Sequence, residues 1–270
     1  MPSSSAPFDN VKDNISNAIY KLLIAPVVRF IYRSKLLHKK NILPRRIVIC
    51  GPPRTGTTLM SECMRSFEDV YVLGYESPAL RFPYVVLNKR FIVTKYPRDI
   101  YEIDRIISRF DNPWIIFMLR DPRDVLVSQH YKAPGKYWVD FSQWKDAVDI
   151  MNRLTEYRHL IVVRYEDLID KPMHQQNVIA DLIGLEPIFP FTDFHRHVDG
   201  RHRDIRALSG VRPINGSNRR KWLSQEHKDR VKEQLQKYPY ITKYLIEYEY
   251  ENDSSWESYV LVRSNRSINN

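Results

Sequence analysis

The feature that most constrains the fold is a short apolar run followed at once by a glycine-bounded loop. Residues Arg46–Cys50 form a β-branched run that is typical of a fully buried parallel strand. The loop Gly51–Gly56 reads Gly-Pro-Pro-Arg-Thr-Gly, and a helix is predicted over Thr57–Phe67. A strand, a glycine loop and a helix in this order open α/β domains that bind phosphate groups.

Strands and helices alternate along the rest of the chain. Apolar runs predict four more strands and three more helical stretches: strands at Val70–Leu73, Phe91–Thr94, Trp114–Leu119 and His159–Val163, a helix over Phe141–Tyr157, and two closing helices within residues 225–249. This alternation predicts an α/β fold with a P-loop-like central parallel sheet and helices on both faces. The segment Phe189–Lys221 has no periodicity, which is typical of lids and binding loops.

The sequence divides into three predicted regions: an N-terminal tail and helix over residues 1–45, the main domain over 46–250, and a polar, frayed tail over 251–270. Charged residues and a proline interrupt residues 11–37, so we expect no membrane-spanning helix there. Peripheral membrane contact through an interfacial helix and packing on the main domain both remain open for that segment. Without a secretory signal or metal-spaced cysteines, we expect a cytoplasmic protein.

The formal net charge is +10 and the isoelectric point is near 9.5. Such a surplus of positive charge favours anionic partners. Composition alone does not choose among nucleic acid, a polyanionic glycan, an acidic membrane surface and a phosphorylated small molecule, so the choice depends on the motifs.

The glycine loop departs from the nucleoside-triphosphate P-loop at one position. That motif reads G-x-x-x-x-G-K-[ST], and here Thr57 stands where the lysine would be. Arg54 supplies positive charge from within the loop instead. Backbone amides, one guanidinium and two hydroxyls suit a phosphosulfate, which carries less charge than a triphosphate with its magnesium ion.

The loop and the residues after it, Gly-Pro-Pro-Arg-Thr-Gly-Thr-Thr-Leu-Met, resemble the 5′-phosphosulfate loop of sulfotransferases. The arginine is similar to that of tyrosylprotein, bacterial and carbohydrate sulfotransferases. The resemblance implies 3′-phosphoadenosine 5′-phosphosulfate (PAPS) as donor, adenosine 3′,5′-bisphosphate (PAP) as product and no required metal. The implied donor contacts in this loop are Pro53, Arg54, Thr55, Gly56, Thr57 and Thr58.

A second motif follows the predicted strand that ends at Leu119. Arg120 at the carboxyl end of a parallel strand faces the ligand crevice, and Ser128 lies about two helical turns farther on. Arg-Asp-Pro-Arg-Asp followed by this serine resembles the 3′-phosphate motif of the family. In the similar segment Val-Arg-Tyr-Glu-Asp-Leu, Tyr165 is the candidate adenine contact, with a buried core tyrosine as the alternative.

The segment Arg212–Trp222 resembles the late loop that closes over the donor in the family. Which of its cations contacts the donor stays open among Arg212, Arg219, Arg220 and Lys221. Ser209 is a further candidate near the transferring group.

Transfer to a hydroxyl needs a base that accepts the hydroxyl proton. Glu76, after the second predicted strand, resembles the glutamate of arginine-loop sulfotransferases, and a helix-capping glutamate is the alternative. Lys95 resembles the family lysine that holds the leaving or transferring group. The subtype that uses a histidine base is not favoured, since residues 89–113 contain no histidine.

Together these patterns predict a PAPS-dependent sulfotransferase acting by in-line displacement on a hydroxyl of a carbohydrate, glycolipid or small metabolite. A protein tyrosine is the alternative acceptor, and nucleic acid is not expected as a partner. Two functions of another class are a nucleotide or small-molecule kinase, disfavoured by Thr57 and the basic strand end at Arg120, and a non-catalytic polyanion-binding module.

Overall fold

The computed structural model describes residues 44–81, 89–130, 133–198 and 211–261. Five parallel strands form the central sheet: β1 Arg45–Cys50, β2 Val70–Val72, β3 Phe91–Lys95, β4 Trp114–Leu119 and β7 Leu160–Arg164. Their order across the sheet is β2-β3-β1-β4-β7. The short strands β5 Gln129–His130 and β6 Ala133–Tyr137 pair separately as an antiparallel ribbon.

Ten α-helices lie within these ranges: α1 Thr57–Cys63, α2 Ile103–Arg109, α3 Pro122–Leu126, α4 Phe141–Asn152, α5 Tyr165–Asp170, α6 Pro172–Ile183, α7 Phe194–His197, α8 Lys228–Lys237, α9 Ile241–Glu247 and α10 Trp256–Leu261. Local chemistry sets several of their ends. Pro122 is the first residue of α3, with Asp121 capping it. Asp140 and Gln143 form a capping box at α4.

The sheet is buried on both faces, which explains the unbroken apolar run of β1. Val48 and Cys50 belong to a core shared with helices α2, α4, α8 and α9, while Ile47 and Ile49 belong to one shared with α1 and α6. The predicted α/β class, with a central parallel sheet and helices on both faces, is thereby confirmed.

The C-terminal region differs from the expected polar, frayed tail. In α10, Trp256 and Val260 are buried and join the first of these cores. They lie four residues apart on one helix face, and the polar run of residues 251–255 hid this spacing in the sequence. The helix predicted over Phe141–Tyr157 ends earlier, at Asn152.

Two sequence predictions lie outside the described residues, namely the helix over 11–37 and the candidate Ser209. Among the helices that are described, none combines the length and the apolar character needed to cross a bilayer.

Candidate active site

The carboxyl ends of four neighbouring strands bring the candidate residues to one edge of the sheet. Lys95 ends β3 beside Ile49 of β1, and Leu119 of β4 pairs with Arg164 of β7. The residues that follow these strands, including Arg120 and Tyr165, therefore meet around the glycine loop. Crevices at this edge are the usual ligand sites of open α/β sheets.

The glycine loop can adopt its shape only with glycine at both ends. Gly51 has φ 138°, and a Cβ there would lie 2.5 Å from the carbonyl oxygen of Met118. Gly56 has φ 93°, and a Cβ there would lie 2.6 Å from Cδ2 of Tyr165. Arg54 between them also has positive φ, at 74°. Such turns aim successive backbone amides inward, as in anion-binding nests.

Arg120 connects three parts of this edge. Its Nη1 donates to the Arg54 carbonyl oxygen at 2.9 Å, and its Nη2 donates to the carbonyl oxygen of Asn218. The guanidinium carbon lies 4.5 Å from the centre of the Tyr165 ring, a cation–π distance. The remaining donor, Nε, is buried and has no hydrogen-bond partner within the described residues.

Arg54 and Ser128, which the sequence analysis assigned to different phosphates, are in direct contact. The Nε of Arg54 donates to Ser128 Oγ at 2.7 Å, and its Nη2 donates to the Gln129 carbonyl oxygen at 3.3 Å. Burial and the nearby Arg120 charge lower the pKa of Arg54. Ser128 lies beyond the end of α3 rather than two helical turns along it.

Glu76 and Lys95 form a second contact at the same edge. Lys95 Nζ lies 3.3 Å from Glu76 Oε1, and the lysine side chain is buried whereas that of the glutamate is 53% exposed. The segment that carries Glu76 is held by two backbone amides. Ser77 donates to the Lys95 carbonyl oxygen, and Ala79 donates to the Asp99 carboxylate, each at 3.0 Å.

Asp99 is a buried carboxylate that the sequence analysis missed. Burial raises its pKa to about 7, the Ala79 amide opposes that rise, and the charge of Glu102 adds to it. The sequence signal was weak, because the residue follows a proline and an arginine that suggest an exposed turn.

The acidic and basic residues of α3 hold the late loop. Asp124 accepts from the backbone N–H groups of Arg220 at 2.8 Å and Trp222 at 3.3 Å. The Arg123 guanidinium lies 3.9 Å from the Trp222 ring centre and 5.0 Å from that of Trp256. The Arg-Asp-Pro-Arg-Asp motif could have pointed to its last residue, Asp124, which was not among the predicted site residues.

The other residues predicted to contact the donor differ in how deeply they are buried. Thr55, Thr57 and Tyr165 are buried, while Pro53 and Thr58 are half-buried. Exposed positions are taken by Arg212, Arg220 and Lys221. Arg219 forms an ion pair with Asp170. In the part of the chain that the structure describes, no group of three or more His, Cys, Asp or Glu side chains is arranged to hold a metal ion.

Residues 79–190 match the model of the sulfotransferase family. The fold is similar to the sulfotransferase domain from the Synechococcus PCC 7002 olefin synthase, at 18% identity and TM-score 0.50, over 67% of this chain and 87% of that one. It is also similar to the sulfotransferase domain from the curacin biosynthetic pathway, at 16% identity and TM-score 0.50, over 71% of this chain and 97% of that one.

No match was found among curated proteins. The matched family segment begins at residue 79, between β2 and β3, and contains Lys95, Arg120, Ser128 and Tyr165. This match covers less than half of the chain, and the two neighbours show that the chain shares the fold of these sulfotransferase domains.

Proposed function

We propose that this protein is a sulfotransferase that takes its sulfonate group from PAPS and transfers it to a hydroxyl of a carbohydrate, glycolipid or small metabolite, releasing PAP. The observation that carries the donor assignment is a pair of arginines in close proximity at the carboxyl edge of the sheet. The Arg120 guanidinium donates to the Arg54 carbonyl oxygen at 2.9 Å, and burial together with the charge of Arg120 lowers the pKa of Arg54, so the two neighbouring cations repel each other. A phosphate group beside both would turn that repulsion into attraction.

The residues present fit such a nucleotide. Arg120 has one buried donor, Nε, for which the described residues provide no acceptor. Arg120 and Ser128 would hold the 3′-phosphate, and residues 53–58 would hold the phosphosulfate side. Gly56 leaves no side chain between the loop and the Tyr165 ring. Because that ring is buried beneath Arg120, Tyr165 is better placed to orient the arginine than to offer an open stacking surface.

The acceptor side fits a proton transfer. The donor, when bound, supplies the sulfonate group, and Glu76 accepts the proton of the attacking hydroxyl. Its carboxylate is about half exposed and therefore reachable by a substrate, and the buried Lys95 ammonium orients it. Lys95 also brings positive charge to the place where negative charge develops during transfer.

Calorimetry with PAP and adenosine 5′-monophosphate tests the donor assignment. We expect PAP to bind at least about tenfold more tightly, since each charge-assisted hydrogen bond to the 3′-phosphate contributes about 1.5–3 kcal/mol. The monophosphate is the matched control, because it lacks only that phosphate. Equal affinities would contradict the 3′-phosphate site.

The acceptor class is an expectation from the sequence and needs its own experiment. Cell-envelope extracts from cells with and without the gene would be compared by mass spectrometry for sulfated carbohydrates, glycolipids and metabolites. Purified enzyme with labelled PAPS would then be assayed on the candidates and on a tyrosine peptide, with and without a chelator. We expect turnover on a non-peptide hydroxyl and no effect of the chelator; turnover on the peptide alone would overturn the acceptor assignment.

A further inference from the structure

Asp124 joins the strand edge that carries Arg120 to the late loop. The residue is buried, with 3% of its surface exposed. Its Oδ2 accepts from the Arg220 amide at 2.8 Å, and its Oδ1 accepts from the Trp222 amide at 3.3 Å. A carboxylate that accepts two amides two residues apart fixes the backbone between them, and Arg220 in that stretch has a left-handed φ of 55°.

The same carboxylate also faces the donor side. Its Oδ2 lies 3.7 Å from Nη2 of Arg120, and that Nη2 donates to the carbonyl oxygen of Asn218 in the late loop. Arg120 follows β4 and Asp124 lies in α3 four residues later, so the tight connection between the strand and the helix fixes their spacing. The loop is therefore attached at one carbonyl by the arginine and at two amides by the aspartate.

We propose that Asp124 is a positioning residue that holds Arg120 and the late loop, Arg212–Trp222, in the arrangement that binds the donor. This inference rests on the proposed use of PAPS. In the proposed reaction, Asp124 contacts no reacting atom. It fixes the direction of the Arg120 guanidinium and places the exposed cations of the late loop, including Arg220, over the same edge of the sheet.

The charge of Asp124 suits positioning better than ligand contact. A carboxylate in direct contact with a phosphate would repel it. A carboxylate on the side of the arginine away from the ligand can instead pair with the guanidinium without contacting the phosphate. Both oxygens of Asp124 are already used by backbone amides. An asparagine at this position would place an NH₂ group against at least one N–H donor or against Arg120. The late loop would therefore lose at least one of its hydrogen bonds to residue 124.

The test compares Asp124→Asn with Asp140→Asn. Asp140 is the matched control, because it too accepts from a backbone amide, that of Phe141, and pairs with a cation, Lys237. Residue-resolved hydrogen exchange would be measured in the nucleotide-free protein, and PAP affinity by calorimetry. In Asp124→Asn we expect exchange at the Arg220 and Trp222 amides to rise about tenfold and PAP affinity to fall about tenfold. In Asp140→Asn neither should change.

Unchanged exchange at both amides, or loosened amides with unchanged PAP affinity, would overturn the inference. Wild-type exchange provides a measurement that does not depend on a folded variant: Arg220 and Trp222 amides as unprotected as a free chain would also overturn it. If the wild type binds no PAP, the proposed donor is wrong, and the exchange data still decide whether Asp124 holds the loop.

Discussion

The cluster of Arg54, Arg120 and Asp124 and the segment that carries Glu76 lie at the same end of the sheet but differ in how many contacts hold them. The three residues of the cluster link the glycine loop, α3 and the late loop through mostly buried contacts. At the other side, the carboxylate of Glu76 is half exposed and meets one buried lysine. This difference is the one that the proposed function requires, with a preformed side for the nucleotide donor and an open side for the acceptor.

Replacing Glu76 by glutamine gives the largest expected effect and separates the two regions most sharply. The amide keeps the size of the side chain but cannot accept the acceptor's proton, so we expect kcat and kcat/KM to fall on the order of 100-fold or more. PAP affinity, measured by calorimetry, should stay within about twofold, because the donor contacts lie on other strand ends.

Glu102→Gln is the matched control for this change, since Glu102 is an exposed glutamate that pairs with an arginine outside the site. Its turnover should equal that of the wild type. Near-normal turnover of Glu76→Gln would assign the base to another residue. Loss of PAP binding in that variant would show that the two regions are not independent.

Arg54→Ala is expected to have the next largest effect, and on the donor side. The substitution removes the Nε contact to Ser128 and one of the two neighbouring cations, so PAP affinity and turnover should both fall about 10- to 100-fold. The side chain is only half-buried, so the melting temperature should change little. Arg105→Ala, at an exposed position of α2, controls for loss of an arginine. Wild-type turnover in a folded Arg54→Ala variant would remove it from the mechanism.

The smallest expected effect concerns Asp99, which connects the Glu76 segment to the helical turn Pro97–Glu102 after β3 by accepting from the Ala79 amide. Its pKa of about 7 in the folded protein lies above the usual value. At a pH between the ordinary pKa of an aspartate and this raised pKa, the folded state binds a proton at Asp99 that the unfolded state does not bind. The stabilisation from this group is therefore present at low pH and is lost as pH rises through about 7. Between pH 6 and 8 this group should lower the free energy of unfolding by about 1.4 kcal/mol.

Urea unfolding of the wild type and of Asp99→Asn at both pH values measures this contribution. The neutral amide can still accept from Ala79 but does not titrate, so the variant should lose that part of the pH dependence. Asp104→Asn, an exposed substitution on α2, controls for the loss of a carboxylate. Parallel stability profiles for wild type and Asp99→Asn would contradict the raised pKa.

Local patterns were sufficient to predict most of the fold. The strand Trp114–Leu119 was predicted at its observed bounds, because an apolar run buried on both faces leaves a continuous signal. The helix α10 was missed because the polar run of residues 251–255 precedes it and the helix is short, so that only packing against the core distinguishes its two buried residues.

The sequence was sufficient to predict which strand ends carry the site residues. It was not sufficient to predict which of these residues contact each other. Motif resemblance pointed to Arg54, Arg120 and Ser128, yet the direct Arg54–Ser128 hydrogen bond joins residues 74 positions apart. No local periodicity of the sequence indicates a contact between residues so far apart. Asp124 was missed for the same reason, since its partners lie near residue 220 and arrive through the tertiary fold.

The contact of the Arg123 guanidinium with two tryptophans has a practical consequence. Trp222 ends the late loop and Trp256 belongs to α10, and both indoles lie within cation–π distance of the same guanidinium. The emission of an indole depends on the charges beside it. The protein therefore carries its own optical reporter: a rearrangement of the loop on ligand binding would change tryptophan fluorescence without any added label, and Trp222→Phe would identify the source of the signal.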